Sequence, residues 1–240
     1  MKKRTLYWVL AALFAAAAIY TPFDHNGYGV GVTIVTVVIL AALAVAMACL
    51  AQRTDADARL NRKSGRLSAD SLPGDYVCFD LETTGLLNQD PRIIELGAVR
   101  VRGGKVTGSY GQLVNPEKHI PAKVSGITGL TDMDVASSPT IAQALPGFLE
   151  FCGNDILVGH NINRFDVPVI QEEAKRAGIA LRQYRTIDTL PLAQRLCPEL
   201  QRHRVVDLIQ AFGIASAESH RAVDDATQTA QIYEELRKRA

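Results

Sequence analysis

Twenty-two consecutive residues, Val30 to Ala51 ("VGVTIVTVVILAALAVAMACLA"), carry no charged side chain, and this run limits the fold more than any other feature. As a helix it spans roughly 33 Å, enough to cross a ~30 Å hydrocarbon core. A shorter charge-free run, Leu6 to Phe23, precedes it, with Tyr7 and Trp8 near one end and Tyr20 and Phe23 near the other, where interfacial aromatics belong. The connecting "TPFDHNGYG" holds Pro22, Gly27 and Gly29 and no Lys or Arg. Basic residues flank the outer ends instead: Lys2, Lys3 and Arg4 before, and Arg53, Arg59, Arg62, Lys63 and Arg66 after. The positive-inside rule then puts both ends in the cytoplasm. Residues 1–51 are expected to form a two-helix transmembrane hairpin in the inner (cytoplasmic) membrane, multi-pass, with the remaining chain cytoplasmic. The alternative takes the first run as a cleaved signal-peptide core behind "MKKR". The basic flank after the second run keeps the rest of the chain inside in either case.

Residues 52–74 are polar and rich in Ser, Asp and Arg, and read as a juxtamembrane segment and linker, flexible from Ser64 to Gly74. Their basic residues serve topology and lipid headgroups before any substrate. Net charge is +1, from 26 Lys and Arg against 25 Asp and Glu, which argues against a protein that coats duplexes non-specifically. Cys49, Cys78, Cys152 and Cys197 show no metal-ligand spacing and suit a reducing compartment as free thiols.

Residues 75–240 form the expected soluble domain. "YVCFDLE", "RIIELGAVRVRGG" and "KVTGSYGQLVNP" read as three strands joined by short turns, hence an antiparallel meander. "TIAQALPGFLEFC" reads as a helix with Thr140 as N-cap, and "DILVGHN" as a short buried strand. "FDVPVIQEEAKRAGI" is a helix stopped by Gly178, and "RTIDTLPLAQRLCP" a strand turning into a helix. "HRVVDLIQAFGI" and "RAVDDATQTAQIYEELRKRA" complete the set as helices. This order implies an α/β fold, a mixed sheet with helices on its faces.

The first strand contains a chemical anomaly. Asp80 and Glu82 point to one face, roughly 6–7 Å apart, while Val77, Phe79 and Leu81 point to the other. Two like charges side by side need a cation nearby, and a metal ion is the better candidate. Asp166, at a helix start, is by itself an ordinary first-turn acid. His220, Asp224 and Asp225, at the opening of the last helix, have equally ordinary readings as a cap and first-turn acids. Together with Asp80 and Glu82 they place carboxylates and an imidazole at strand ends and helix starts, where open α/β sheets build their sites.

"FDLETTG", "GHNINRFDVPVI" and "HRAVDDA" resemble, in this order, the three motifs of the DEDD superfamily of 3′–5′ exonucleases, in its histidine branch. "ITGLTDMDV" and "TIDTLPLAQRL" add a likeness to the epsilon-type proofreading exonucleases of bacterial DNA polymerase III and related domains. The likeness covers Tyr76 to Tyr233. It implies a ribonuclease H-like sheet and makes Asp80, Glu82, Asp166 and Asp225 metal carboxylates with His220 as general base. Spacing from the histidine selects Asp225 over Asp224. It further implies that Asp80 bridges two ions, with Glu82 and Asp225 on the first and Asp166 near the second. Thr83, Thr84, Gly85 and Leu86 would meet the terminal nucleotide, and Phe165 would stack on it or pack in the core. Nothing in the family foretells the membrane hairpin.

All-oxygen ligation points to two Mg²⁺ (or Mn²⁺) rather than zinc. Such a pair, ~4 Å apart, can bracket a scissile phosphate. A histidine with an ordinary pKa near 6.5 suits proton removal from water at neutral pH. The expected enzyme is a membrane-anchored 3′–5′ exonuclease releasing nucleoside 5′-monophosphates from DNA, single-stranded by preference. Its expected partners are a nucleic acid 3′ end and the membrane, with no protein partner identifiable. The alternatives are a short-RNA exonuclease or RNA 3′-end trimmer, a polymerase-associated proofreading subunit, and a tethered binding module with a dead site. Arg182, Arg185, Arg202, His203 and Arg204 read as a solvated face, or as guides for a phosphate backbone.

Overall fold

The computed structural model describes residues 72–240, together with Ile39 and Ala42. The expected hairpin, residues 1–51, otherwise lies outside the described residues, as do residues 52–71. Among the described residues no helix is long and apolar enough to cross a membrane.

The three expected strands form β1 (Tyr76–Thr83), β2 (Ile93–Arg102) and β3 (Lys105–Leu113). Both ladders are antiparallel, and the β2–β3 turn uses Gly103 and Gly104 at φ 56° and 76°, conformations open to glycine. Two short strands, β4 (Leu157–Gly159) and β5 (Thr186–Asp188), then add in parallel, giving the order β3-β2-β1-β4-β5. β1 therefore runs between an antiparallel and a parallel neighbour, as the mixed-sheet reading expects.

The crossover from β3 to β4 carries α1 (Ala122–Thr128), α2 (Asp132–Val135) and α3 (Ile141–Cys152). α3 starts where the Gln143 side chain accepts the Thr140 N–H at 2.9 Å. α4 (Asp166–Ala177) ends on Gly178 in the left-handed region, and α5 (Thr189–Leu196) and α6 (Val205–Ala211) follow β5. The final helix, α7 (Ala222–Arg239), has Asp224 and Asp225 in its first turn and Arg237, Lys238 and Arg239 in its last. That distribution suits the helix dipole at both ends.

The alternation of β1 decides which helix goes where. Val77, Phe79 and Leu81 enter a core with Phe148 of α3 and Val169 and Ile170 of α4. The Phe79 and Phe148 rings meet edge-on at 5.5 Å. Burying each such side chain stabilises the fold by roughly 2–3 kcal/mol. On the opposite face Tyr76 meets Tyr233 of α7 at 4.8 Å. Packing begins before the expected domain start at residue 75. Leu72 is buried, its carbonyl accepts a hydrogen bond from Arg237 Nε, and the Pro73 carbonyl accepts one from the Tyr233 hydroxyl. The last residues of the expected linker thus belong to the domain, because α7 offers them donors. Cys78, Cys152 and Cys197 are buried free thiols, as their apolar contexts suggested.

Candidate active site

Asp80 and Glu82 emerge on the β1 face that receives the start of α7. Asp80 lies opposite Gly97 on β2, and Gly97 lies opposite Gly111 on β3. The two glycines leave β2 and β3 without side chains beside Asp80, and the start of α7 sits down onto them. A Cβ at Gly97 would fall 2.1 Å from the Ala222 carbonyl carbon, and one at Gly111 would fall 2.8 Å from Val223 Cγ2. Glycine is required here for space, so the two positions fix how closely Asp225 and His220 approach β1.

His220 precedes α7 in the left-handed region, φ 56°, a conformation that costs most side chains energy. Asp225 is buried and accepts the Ser219 N–H at 3.0 Å, folding the segment back over its own helix. As a result one ligand atom each from Glu82, His220 and Asp225 lie within 4.8 Å of one another. Asp224, by contrast, is exposed and accepts the Ser219 hydroxyl at 2.8 Å.

Asp166 reaches the site from the other side, buried in the first turn of α4. The loop that delivers it is pinned by Asp188 at the end of β5. One oxygen of that carboxylate accepts the Asn161 N–H at 2.9 Å and the Leu190 N–H at 3.0 Å. Asn161 takes φ 58° there, a conformation asparagine tolerates better than most residues.

The carboxylates load one another electrostatically. Burial, then the charges of Asp166, Glu82, Asp225 and Glu218, hold the Asp80 carboxyl well above the usual carboxylate range. Burial, then Asp225, Glu95 and Asp166, push Glu82 up to about 8, with the Arg221 charge pulling it down. Asp166 is raised by burial and by Asp188, against its own backbone hydrogen bond. Asp225 is raised by burial and Glu218, against the Ser219 backbone bond and the His220 charge. Buried acids that resist ionisation together are a donor set short of positive charge. All-carboxylate oxygen donors with one imidazole at the rim fit hard divalent cations.

The structure thus brings Asp80, Glu82, Asp166, Asp225 and His220 into one electrostatic neighbourhood. The expected nucleotide-contacting residues divide. The Thr83 hydroxyl donates to the Gly85 carbonyl at 2.8 Å, and the Thr84 hydroxyl accepts the Arg92 N–H at 3.0 Å, so both shape the turn itself. At Gly85 a Cβ would meet Gln89 Oε1 at 2.6 Å, while Leu86 is 63% exposed. Phe165 is half-buried against the core, one of its two expected settings. Sequence reasoning missed Glu95, Asp188, Glu218 and Arg221. An acid inside the apolar run "RIIELGAV" was the available signal for Glu95, the same anomaly that singled out Asp80.

Residues 77–233 match the model of a family described as exonuclease. A DNA polymerase III subunit epsilon from Aquifex aeolicus is 36% identical over 171 residues, covering 71% of this chain and 84% of that protein. A PolC-type DNA polymerase III from Clostridium perfringens is 40% identical over 163 residues, 68% of this chain. The chain spans 11% of the length of that relative. Among solved structures, Exonuclease X in complex with 5′ overhanging duplex DNA superposes with a TM-score of 0.55 at 26% identity, covering 67% of this chain and 90% of that one.

Proposed function

This chain belongs to the DEDD superfamily of 3′–5′ exonucleases, and on that premise we propose that it releases nucleoside 5′-monophosphates from DNA 3′ ends with a pair of Mg²⁺ (or Mn²⁺) ions. It is a nuclease hydrolase of a divalent-metal-dependent family that acts on nucleic acid. The observation that carries the finer reading is geometric: ligand atoms of Glu82, His220 and Asp225 lie within 4.8 Å of one another, and the charges of Asp166 and Asp225 bear on both Asp80 and Glu82 beside them, a load that a bound cation would relieve.

Asp80, Glu82, Asp166 and Asp225 would hold the ions. When bound, the ions supply charge stabilisation for the scissile phosphate and acidify water. His220, held at the rim within 4.8 Å of both Glu82 and Asp225, is placed to accept the proton of the attacking water. The backbone from Thr83 to Leu86, with its hydroxyls turned inward, is free to lie against the terminal nucleotide, and exposed Leu86 offers it an apolar surface. Single strands are the preferred substrate in this reading, since a 3′ end must thread to the acids.

The test incubates the protein with 5′-labelled and 3′-labelled DNA and RNA, in Mg²⁺ or EDTA. Stepwise shortening of 5′-labelled DNA with Mg²⁺, absent in EDTA, supports the reading, and undiminished digestion in EDTA refutes it. Faster shortening of RNA would move the assignment to an RNA 3′-end trimmer. The two charge-free runs further support a hairpin in the inner membrane over residues 1–51, a juxtamembrane linker, and a cytoplasmic exonuclease domain. Recovery of the full chain in the soluble fraction after alkaline carbonate would defeat that anchor. The epsilon relative, matched over most of its length, favours a second reading as a polymerase-associated proofreader. A specific preference for mispaired over paired 3′ termini would distinguish it.

A further inference from the structure

Glu95 is a buried acid, 4% exposed, the third residue of β2, and the ligand set above does not use it. Its position opposite Glu82 in the β1–β2 ladder puts like charges face to face, an unfavourable arrangement that needs a compensating cation. Arg221 supplies it. Its Nη2 donates to Glu95 Oε1 at 2.8 Å and its Nε to Oε2 at 3.1 Å, a two-pronged fork. Glu95 Oε2 also accepts the Ala222 N–H at 3.2 Å, at the point where α7 rests on Gly97.

Arg221 stands next to His220 and four residues before Asp225, and its charge reaches Glu82. Its side chain is 49% exposed, so the fork to Glu95 is what restrains it. An untethered guanidinium in this place would pair with the crowded carboxylates themselves, because planar two-pronged pairing with a carboxylate is its preferred contact. It would then compete with divalent ions for the same oxygens.

We propose that Glu95 is a positioning residue that holds the Arg221 guanidinium away from Glu82 and Asp225, keeping those carboxylates open to a divalent cation. The proposal rests on reading Asp80, Glu82, Asp166 and Asp225 as metal ligands. Glu95 itself touches neither metal nor substrate; it acts through Arg221.

The test measures Mn²⁺ binding to the full chain by the electron paramagnetic resonance of free Mn²⁺, with melting temperature followed in parallel. Glu95→Gln keeps the shape and the oxygen that receives the Ala222 N–H but loses the charge. It should weaken Mn²⁺ binding about fivefold, the upper end of the scale for one partly exposed charge contact. Glu95→Gln combined with Arg221→Gln should return the affinity to within about threefold of wild type, since no guanidinium remains to intrude. A double variant that binds as weakly as Glu95→Gln, or a Glu95→Gln protein that binds like wild type, overturns the proposal. Should Glu95→Gln fail to fold, Arg221→Lys keeps the charge without the fork and should weaken binding severalfold; unchanged affinity there overturns it equally. Asp80→Asn separates the two levels: if it leaves Mn²⁺ binding intact, the metal-ligand reading fails, whatever Glu95 does.

Discussion

Replacing Glu82 by glutamine should make the metal-free protein more stable while removing its activity. Burial first, then the charges of Asp225, Glu95 and Asp166, raise the Glu82 carboxyl from 4.5 to about 8. A carboxyl raised by folding contributes stability while protonated, and that contribution is lost as pH rises from about 4.5 through about 8. Fully developed above pH 8, the penalty has a ceiling of ~5 kcal/mol. The part of the side chain that reaches solvent screens it, which leaves about 2 kcal/mol. For a domain of this size that corresponds to a melting-temperature difference of about 4–8 °C. Scanning calorimetry of wild type and Glu82→Gln in EDTA, at pH 8.5 and 5.0, measures it. The variant should melt higher at pH 8.5, and the gap should shrink at pH 5.0, where folded wild type keeps its proton. Mg²⁺ at pH 8.5 should raise the wild-type melting temperature by more than the variant's. A variant that melts with or below wild type at pH 8.5 would show that Glu82 carries no electrostatic load, and the reasoning behind the site would fall.

Asp80→Asn should lower Mg²⁺-dependent digestion of DNA by on the order of 10³-fold with an unchanged circular dichroism spectrum, and a loss of less than tenfold would place the chemistry elsewhere. Gly97→Ala drives a Cβ to 2.1 Å from the Ala222 carbonyl carbon, so α7 must lift. It should lose about 1–3 kcal/mol of stability and most activity together, and a fully active variant would show that α7 is not held at that height. Binding Mg²⁺ at pH 7 should release protons, because Glu82, raised to about 8, must give one up, and the release should fade above that pH. Titration calorimetry in buffers of different ionisation enthalpy reads it, and binding heats independent of buffer would contradict it.

The meander and the longer helices were legible because each leaves a local mark, and so were Asp80 and Glu82 as acids in an apolar strand. Asp166, His220 and Asp225, by contrast, are ordinary helix-start residues locally and were singled out by the family resemblance. Alternation separates Val77, Phe79 and Leu81 from Asp80 and Glu82, and Gly178 and Gly213 stop their helices at φ 68° each. α1 and α2 were not read as helices, being seven and four residues long, too short for a helical period to show against the turn residues around them. The inward turn of the Thr83 and Thr84 hydroxyls has no local mark either, since it depends on a bulge between Glu82 and Thr83 and on Arg92 across the ladder. Glu95 is legible as an oddity but not as a tether, because its partner Arg221 lies 126 positions further along the chain. Asp188 is hidden for a related reason: its role is to receive backbone N–H groups of a loop delivered by a neighbouring parallel strand.

The most direct measurement is anomalous diffraction at the manganese edge from crystals soaked with Mn²⁺ and a nucleoside 5′-monophosphate. The account predicts two peaks held by Asp80, Glu82, Asp166 and Asp225, with the His220 imidazole facing the phosphate. A single peak, or peaks ligated by Asp188 or Glu218 in place of Asp80, would contradict it.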